Sequence, residues 1–504
     1  MIDQIINSAL QVLQPETIIL VLVGVAVGQI VGGIPGMTGT MVMALLMPLT
    51  FAMPIWVGVP MLLGILKGAL FGGSISAIML KTPGTPAALA TTFDGYPLTQ
   101  QGKGKKAIKM ALVASTIGDT FGTICLIFLS GIIASVAIMF GAPEYAIVIL
   151  CALLILGTLQ GRSFATGMLS AGLGLLLGTV GVDPVVGLSR LSFNNPQLYS
   201  GIELVPLLIG LLTIPEIFKQ MEGTDANKRE SAIKSSDNKE DNKLYWKDLK
   251  KDKGLKTLFR SSSIGMAVGS IPGLGAEVAG IVSYNQEVLS SKNPEKYGKG
   301  ELKGVAATES ANSAAGGSNL IPYLSLGIPG DTSIAVIAGA FLVHGITVGP
   351  MMFVETPGVV YAIFIGLLIA SLLNLLVGQV MIPLITKVLT VPKGFLFPSV
   401  FVIAAAGTFA FRGSFFDVGV MMVFGLIGYI MMKLDISVIP LMIAFILGPM
   451  LETQVRRTAV LIKSEGSVLF LFERPLFIIL LLVLIAMTFL IIRFKRRVTP
   501  SNMQ

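Results

Sequence analysis

Apolar stretches of roughly 20 residues, the length a helix needs to cross a bilayer, recur along the whole chain. They fall near 17–34, 55–80, 108–138, 144–160, 164–182, 201–218, 332–350, 357–389, 395–411, 416–432, 436–451 and 475–492. Such runs must lie in a soluble core or face lipid, and charge decides between the two. Only 13% of the 504 residues are Asp, Glu, Lys or Arg, about half the share that coats an average soluble protein. The expected fold is all-α: a polytopic integral membrane protein of about 10–12 membrane segments, several of them short or broken by Gly and Pro.

Five regions follow. Residues 1–16 place Ile2, Ile5, Ile6, Ala9, Leu10 and Leu13 at helical spacing without a basic leader, so they read as an amphipathic interfacial helix and not a cleaved signal. Residues 17–218 and 261–492 form two membrane halves, and 219–260, with 12 Lys/Arg and 8 Asp/Glu, a charged linker between them. Residues 493–504 are a basic tail. Basic residues cluster at Lys103–Lys109, in the linker, at Lys292–Lys303 and in the tail, all expected on the cytoplasmic side, the C-terminus included.

Several chemistries lack their residues. Cys125 and Cys151 sit apart in apolar runs and His344 is the single histidine, so no disulfide framework, zinc cluster or HExxH site is available. Gly102-Lys103-Gly104 and Gly298-Lys299-Gly300 lack the Ser/Thr of a phosphate loop. Neither a catalytic site nor a resident cofactor or metal is expected, and the net charge of +8 reads as cytoplasmic loops and not as a nucleic-acid surface.

The most informative pattern is internal. Gly33-Ile34-Pro35-Gly36-Met37 recurs as Ser270-Ile271-Pro272-Gly273-Leu274, an offset of 237, and Thr82-Pro83-Gly84-Thr85 as Ile328-Pro329-Gly330-Asp331, an offset of 246. Gly72-Gly73-Ser74 is echoed by Gly316-Gly317-Ser318 at 244. Pro-Gly inside an apolar run breaks a helix, and broken backbone at membrane depth is tolerated only beside protein or a water-filled cavity. Paired breaks in two halves point to the substrate site of a secondary transporter, where half-helix N-termini hold an anion and freed carbonyls a cation such as Na⁺. The halves are expected to be inverted repeats. The candidate substrate contacts are Pro35, Gly36, Thr38, Gly39, Thr40, Ser74, Lys81, Pro83, Gly84, Thr85, Pro272, Gly273, Gly275, Ala276, Pro329 and Gly330. Thr85 and Asp331 read equally as plain helix caps.

Ionisable groups inside apolar runs are costly and carry function by default. Glu277, Glu309, Ser310, Asn312, Ser313 and Asp331 are candidates for the coupling ion, a structural salt bridge or helix–helix hydrogen bond being the alternative for the two glutamates. Lys67 and His344 are further possibilities, Lys67 either meeting a carboxylate or neutralising a neighbouring acid. Asp119, Asp183, Arg190 and Arg412 are expected near loop ends in structural roles.

These residues resemble a known family. Gly-Gly-Ile-Pro-Gly at 32–36, the run from Gly72 to Ile78 leading to Pro83-Gly84-Thr85-Pro86, and Asp94-Gly95-Tyr96-Pro97-Leu98 are similar to the large permease subunit of tripartite tricarboxylate transporters, the TctA family. The second half agrees in Ile271-Pro272-Gly273, Tyr297-Gly298-Lys299-Gly300, Glu309-Ser310-Ala311-Asn312 and Leu326-Gly327-Ile328-Pro329-Gly330. Lys67, Lys81 and Val348 depart from the pattern. The resemblance implies a bacterial inner-membrane uptake system for di- or tricarboxylates, driven by an H⁺ or Na⁺ gradient. Its implied partners are a small four-span membrane subunit and an extracytoplasmic solute-binding protein. The rival reading of the breaks alone is a channel filter.

Overall fold

The computed structural model describes residues 2–159, 163–183, 187–222, 254–388 and 393–498. In chain order the helices are α1 (Ile2–Val12), α2 (Pro15–Gly33), α3 (Gly39–Thr50), α4 (Ile55–Leu80), α5 (Thr92–Gln100), α6 (Gly104–Ala137), α7 (Ala142–Leu159), α8 (Phe164–Leu177) and α9 (Leu204–Glu222). There follow α10 (Gly254–Gly269), α11 (Gly275–Ser290), α12 (Leu302–Ser318), α13 (Leu320–Leu326), α14 (Thr332–Val343), α15 (Met352–Glu355), α16 (Pro357–Val388), α17 (Lys393–Arg412), α18 (Phe415–Lys433), α19 (Ile439–Glu465) and α20 (Pro475–Val498). A two-residue antiparallel pair, Gly181–Val182 with Ser189–Arg190, interrupts the helices. Seven helices among the described residues are long and apolar enough to cross a bilayer, and six shorter apolar helices accompany them. Most of the expected linker, residues 223–253, and the tail from 499 lie outside the described residues; Lys219–Glu222 and Gly254–Arg260 are helical.

The chain divides into two compact units, residues 1–132 with 204–430 and residues 133–203 with 431–504. Each takes elements from both sequence halves. In the first unit, α4 is the central helix, 94% of its apolar window being buried. It owes that position to glycine. Gly24, Gly28 and Gly32 of α2 lie under the backbone of Met61, Ile65 and Ala69, while Gly64, Gly68 and Gly72 of α4 lie under Val21, Val25 and Gln29. A methyl group at any of the six would strike a main-chain atom of the other helix. With no side chain between them the two backbones touch, the packing that lipid-embedded helices use in place of a hydrophobic drive.

The second half repeats this contact in register. Gly265 and Gly269 of α10 follow Gly28 and Gly32 by the same offset that relates the Pro35-Gly36 and Pro272-Gly273 motifs. They lie under Ala311 and Ala315 of α12, which follow Ile65 and Ala69 by the offset that relates Pro83-Gly84 to Pro329-Gly330. Where Gly64 meets the Val21 carbonyl, its counterpart Ser310 donates to the Leu258 carbonyl at 3.0 Å. In this register the Gly-Gly-Ser echo is out of step by two positions: Gly73 corresponds to Asn319.

The second unit packs α19 against α7 and α8, with Gly174 under the Leu441 carbonyl. Glu144 pairs with Arg474 at 2.6 Å, and Asp183, Arg190, Glu452 and Arg456 form one ionic cluster. Asp183 and Arg190 thus have the structural role expected of them. Elsewhere apolar side chains face outward: Phe128 and Ile132 on α6, and Ile5, Ile6 and Leu10 on α1, whose Ser8 is buried and donates to the Gly358 carbonyl. Apolar-out, polar-in is what a hydrocarbon solvent selects.

Gly28→Val and Gly265→Val should each lower the thermal midpoint of the purified protein, at a cost of about 2 kcal/mol or more from forced separation of packed helices. Gly131→Val on the open face of α6, where a Cβ meets nothing, should leave the midpoint unchanged.

Candidate functional site

All four Pro-Gly motifs are breaks. The first separates α2 from α3, turning at Gly36 with φ +92°, and Thr38 caps α3 by accepting from the Met41 N–H at 3.2 Å. The second ends α4 at Lys81, held at φ +56°, and leads through Thr85 to a single 3₁₀ turn, Pro86–Ala88. The third separates α10 from α11 through Gly273 and Gly275, both at positive φ. The fourth follows Gly327 at φ +74° and starts α14, which Asp331 caps by accepting from the Ile334 N–H at 2.9 Å. Lys81 and Gly327 occupy corresponding positions in the repeat, so a lysine stands in the left-handed conformation where the other half has glycine.

Within each half the breaks pack together by small residues. Gly84 donates to the Gly73 carbonyl at 3.2 Å, and a side chain on it would collide with the Gly32 carbonyl. Gly273 donates to the Gly330 carbonyl at 2.7 Å. Across the halves, the Thr40 and Ser333 hydroxyls are 2.8 Å apart, joining the first turns of α3 and α14. The matching pair, α11 and the 86–88 turn, pack on each other, and the Asn312 amide of α12 donates to the Ala87 carbonyl at 3.3 Å. Four helix starts from two halves are thereby gathered in one unit.

Two side-chain atoms at corresponding places lack partners. Thr85 occupies the cap position of the 3₁₀ turn, yet its Oγ1 is buried without a hydrogen bond. Asp331 is its counterpart in the other half, and Asn319, which donates to Asp331, has its Oδ1 buried and unpaired. Buried polar atoms in native proteins are nearly always paired; these are two of the eleven such atoms left without a partner among the described residues, and the two that lie at the breaks. Glu277, in the first turn of α11, is exposed and close enough to Asp331 for the two charges to repel.

Glu309 is fully buried at the centre of the first unit. Its carboxylate accepts from Ser74 at 2.6 Å, Ser115 at 3.1 Å, the Asn312 amide at 3.5 Å and Thr91, without an ion pair among the described residues. Four neutral donors hold the carboxylate, and no opposite charge among the described residues compensates it. Of the residues expected from the sequence, Glu309, Asn312 and Ser74 meet in this cluster. Thr91 and Ser115 complete it without belonging to any motif, because they come from segments far apart in the chain. Ser313 donates to the Asn312 side-chain amide oxygen Oδ1, whereas Ser310 faces α10 and bonds Ser262 and Leu258.

Lys67 lies elsewhere in the same core. Its ammonium meets Asp119 at 2.6 and 2.7 Å, Ser371 at 2.8 Å and Thr123 at 3.2 Å, all buried. Its three protons are all engaged, so it neutralises an acid in this conformation and has none left for a substrate. Asp119 is correspondingly mid-helix and buried, not at the loop end expected, because α6 continues without interruption to Ala137. Lys81 is exposed at the end of α4, its Nζ 5.8 Å over the Tyr96 ring. His344 ends α14, about 18 Å from the fourth break at 1.5 Å per residue. Asp94 ties two connections together, accepting from the Gly300 and Glu301 N–H groups at 2.9 Å and from Tyr284 at 3.0 Å. Burial raises its carboxyl above the usual carboxylate range against the pull of those donors.

The family model described as "Tripartite tricarboxylate transporter TctA family" matches residues 18–443. An "Uncharacterized 52.8 kDa protein in TAR-I ttuC' 3'region" of Agrobacterium vitis is 35% identical over 479 residues, covering 93% of this chain and 92% of that protein. A second A. vitis protein, "Uncharacterized protein in TAR-II ttuC' 3'region", is 37% identical over 204 residues, 40% of this chain and 84% of its own. No solved structure matches the chain.

Lys67→Met should lower stability by about 3–5 kcal/mol, the cost of leaving Asp119 charged and unpaired. The double variant Lys67→Met/Asp119→Asn should recover most of that loss, as thermal unfolding of the purified protein will read.

Proposed function

The chain belongs to the tripartite tricarboxylate transporter TctA family, and from that premise we propose that it takes up small organic anions, di- or tricarboxylates, by ion-coupled alternating access. A solute-binding protein outside the membrane would deliver the anion, and a small four-span subunit would complete the complex in a bacterial inner membrane.

The observation that carries this reading is the pair of unpartnered buried atoms at corresponding breaks, Thr85 Oγ1 and Asn319 Oδ1. The two places differ in charge. The first half contributes a hydroxyl at Thr85 and the uncharged start of α3, whose leading N–H groups at Gly39 and Thr40 and partial positive charge suit a carboxylate. Pro35, Gly36, Thr38, Pro83 and Gly84 shape that side, and exposed Lys81 would meet the anion at its rim. At the second, Asp331 and Glu277 favour a cation, with Pro272, Gly273, Gly275, Ala276, Pro329 and Gly330 as its backbone frame. Glu309, whose neighbour Asn312 also bonds the Ala87 carbonyl after the second break, would carry the coupling H⁺ or hold Na⁺ with the Ser74 and Thr91 oxygens. Lys67 and His344 are not needed for binding.

Loop charge supports an inverted repeat. The connection between α11 and α12 carries Lys292, Lys296 and Lys299, while its counterpart between α3 and α4 has no charged residue. Lys103 begins the basic run at the start of α6, whereas residues 344–356 ahead of α16 contain no Lys or Arg and one acid, Glu355. Corresponding connections of opposite character belong on opposite faces. The two basic ones also touch, Gln101 donating to the Lys299 carbonyl at 2.7 Å, as two connections on one cytoplasmic face would.

Reconstituted with its partners, Glu309→Gln should abolish accumulation driven by an ion gradient while leaving exchange of substrate across the membrane measurable. Gradient-driven uptake equal to that of the unsubstituted protein removes Glu309 from coupling, and flux without accumulation would indicate a channel. Thr85→Val should raise the substrate KM about tenfold, a loss of about 1.4 kcal/mol. The same variant should hold or raise the thermal midpoint, because it deletes a buried unpaired hydroxyl.

A further inference from the structure

A cavity of about 480 Å³ opens away from the breaks, between the start of α10, the end of α11 and the connection to α12. Five cations line it, Lys256 and Arg260 from α10 with Lys292, Lys296 and Lys303 from the connection and α12, against two carboxylates, Glu287 and Glu301. Both acids are already engaged. Glu287 is buried, pairs with Arg260 and accepts from Thr257 and Tyr297, both at 3.1 Å, while Glu301 caps α12 through the Lys303 N–H. Glu287 therefore fixes one wall and offers no neutralisation to the lysines. Lys256, Lys292 and Lys296 are exposed and have no acidic partner among the described residues. An excess of three positive charges thus converges on one concave site.

We propose that this cavity binds a phosphate-bearing anion, either the headgroup of an anionic phospholipid or free phosphate from the cytoplasm. Phosphate brings up to two negative charges and three strong acceptor oxygens, matching the lysine excess. Basic pockets between membrane helices on the cytoplasmic side commonly take such groups. The apolar residues beside it place it at headgroup depth: Phe259 and Leu289 are exposed by 56% and 81% on the two helices that form its walls. Because α10 and α11 flank the third break and pack on each other, a bound phosphate would tie together their ends far from it.

The test is binding to the purified full-length chain in phosphatidylcholine nanodiscs, read as the thermal midpoint, and it does not depend on transport. Inorganic phosphate should raise the midpoint if the ligand is soluble. Phosphatidylglycerol in the disc should raise it without added phosphate if the ligand is lipid. The triple variant Lys256→Gln/Lys292→Gln/Lys296→Gln should keep the midpoint measured in plain phosphatidylcholine and bind roughly a hundredfold more weakly, about fivefold per lysine. Three outcomes overturn the proposal: no rise with either probe, an equal rise in the variant, or a larger rise with citrate than with phosphate, which would make the cavity part of the carboxylate path.

Discussion

Everything at the centre of this protein depends on two helix backbones being allowed to touch. α2 and α4 meet through six glycines that leave nothing between the main chains, and α10 and α12 meet through glycine, alanine and serine at corresponding positions. The contact is short-range and unforgiving, since a single methyl group reaches a carbonyl. It brings the first and second breaks together in one half and the third and fourth in the other. Without it, the four Pro-Gly motifs would be ordinary turns scattered over the chain. With it, they face one another, and hydroxyl and amide contacts such as Thr40 to Ser333 and Asn312 to Ala87 close the gap between halves.

Inside that frame the two halves diverge where their chemistry differs. Asp331 answers to Thr85, Asn319 to Gly73, Glu277 to Thr40 and Ser313 to Lys67. A symmetric scaffold thus carries acids at the breaks of the second half where the first half has hydroxyls. The buried ionic groups divide in the same way: Lys67 and Asp119 satisfy each other, whereas Glu309 has hydrogen-bond donors but no counter-ion among the described residues. A paired charge braces the fold. A charge held only by neutral donors retains affinity for a proton or cation.

Much of this was legible in the residues because membrane helices write their length and their breaks directly into composition. The apolar runs predicted near 55–80 and 416–432 are helices at Ile55–Leu80 and Phe415–Lys433. All four Pro-Gly motifs interrupt helices, since proline and positive-φ glycine act locally. α12 was less visible as a helix: Ala306-Ala307-Thr308-Glu309-Ser310-Ala311-Asn312-Ser313 is too small and polar to read as a span, and only burial between α10, α11 and α6 makes sense of it. Asp119 was misplaced for the converse reason, because nothing local says that a charge within Ser115–Thr123 has a lysine from another helix to meet.

By itself the sequence determined the solvent, the helical class, the positions of the breaks and the existence of two related halves, because each follows from hydropathy or from backbone chemistry over a few residues. Tertiary structure alone decided the true register of the repeat, the partners of Lys67 and Glu309, and which polar atoms were left unpaired. Those depend on residues such as Thr91, Ser115 and Ser371 arriving from distant segments. Their meeting is set by how closely glycine lets the helices approach, a distance that no local pattern encodes.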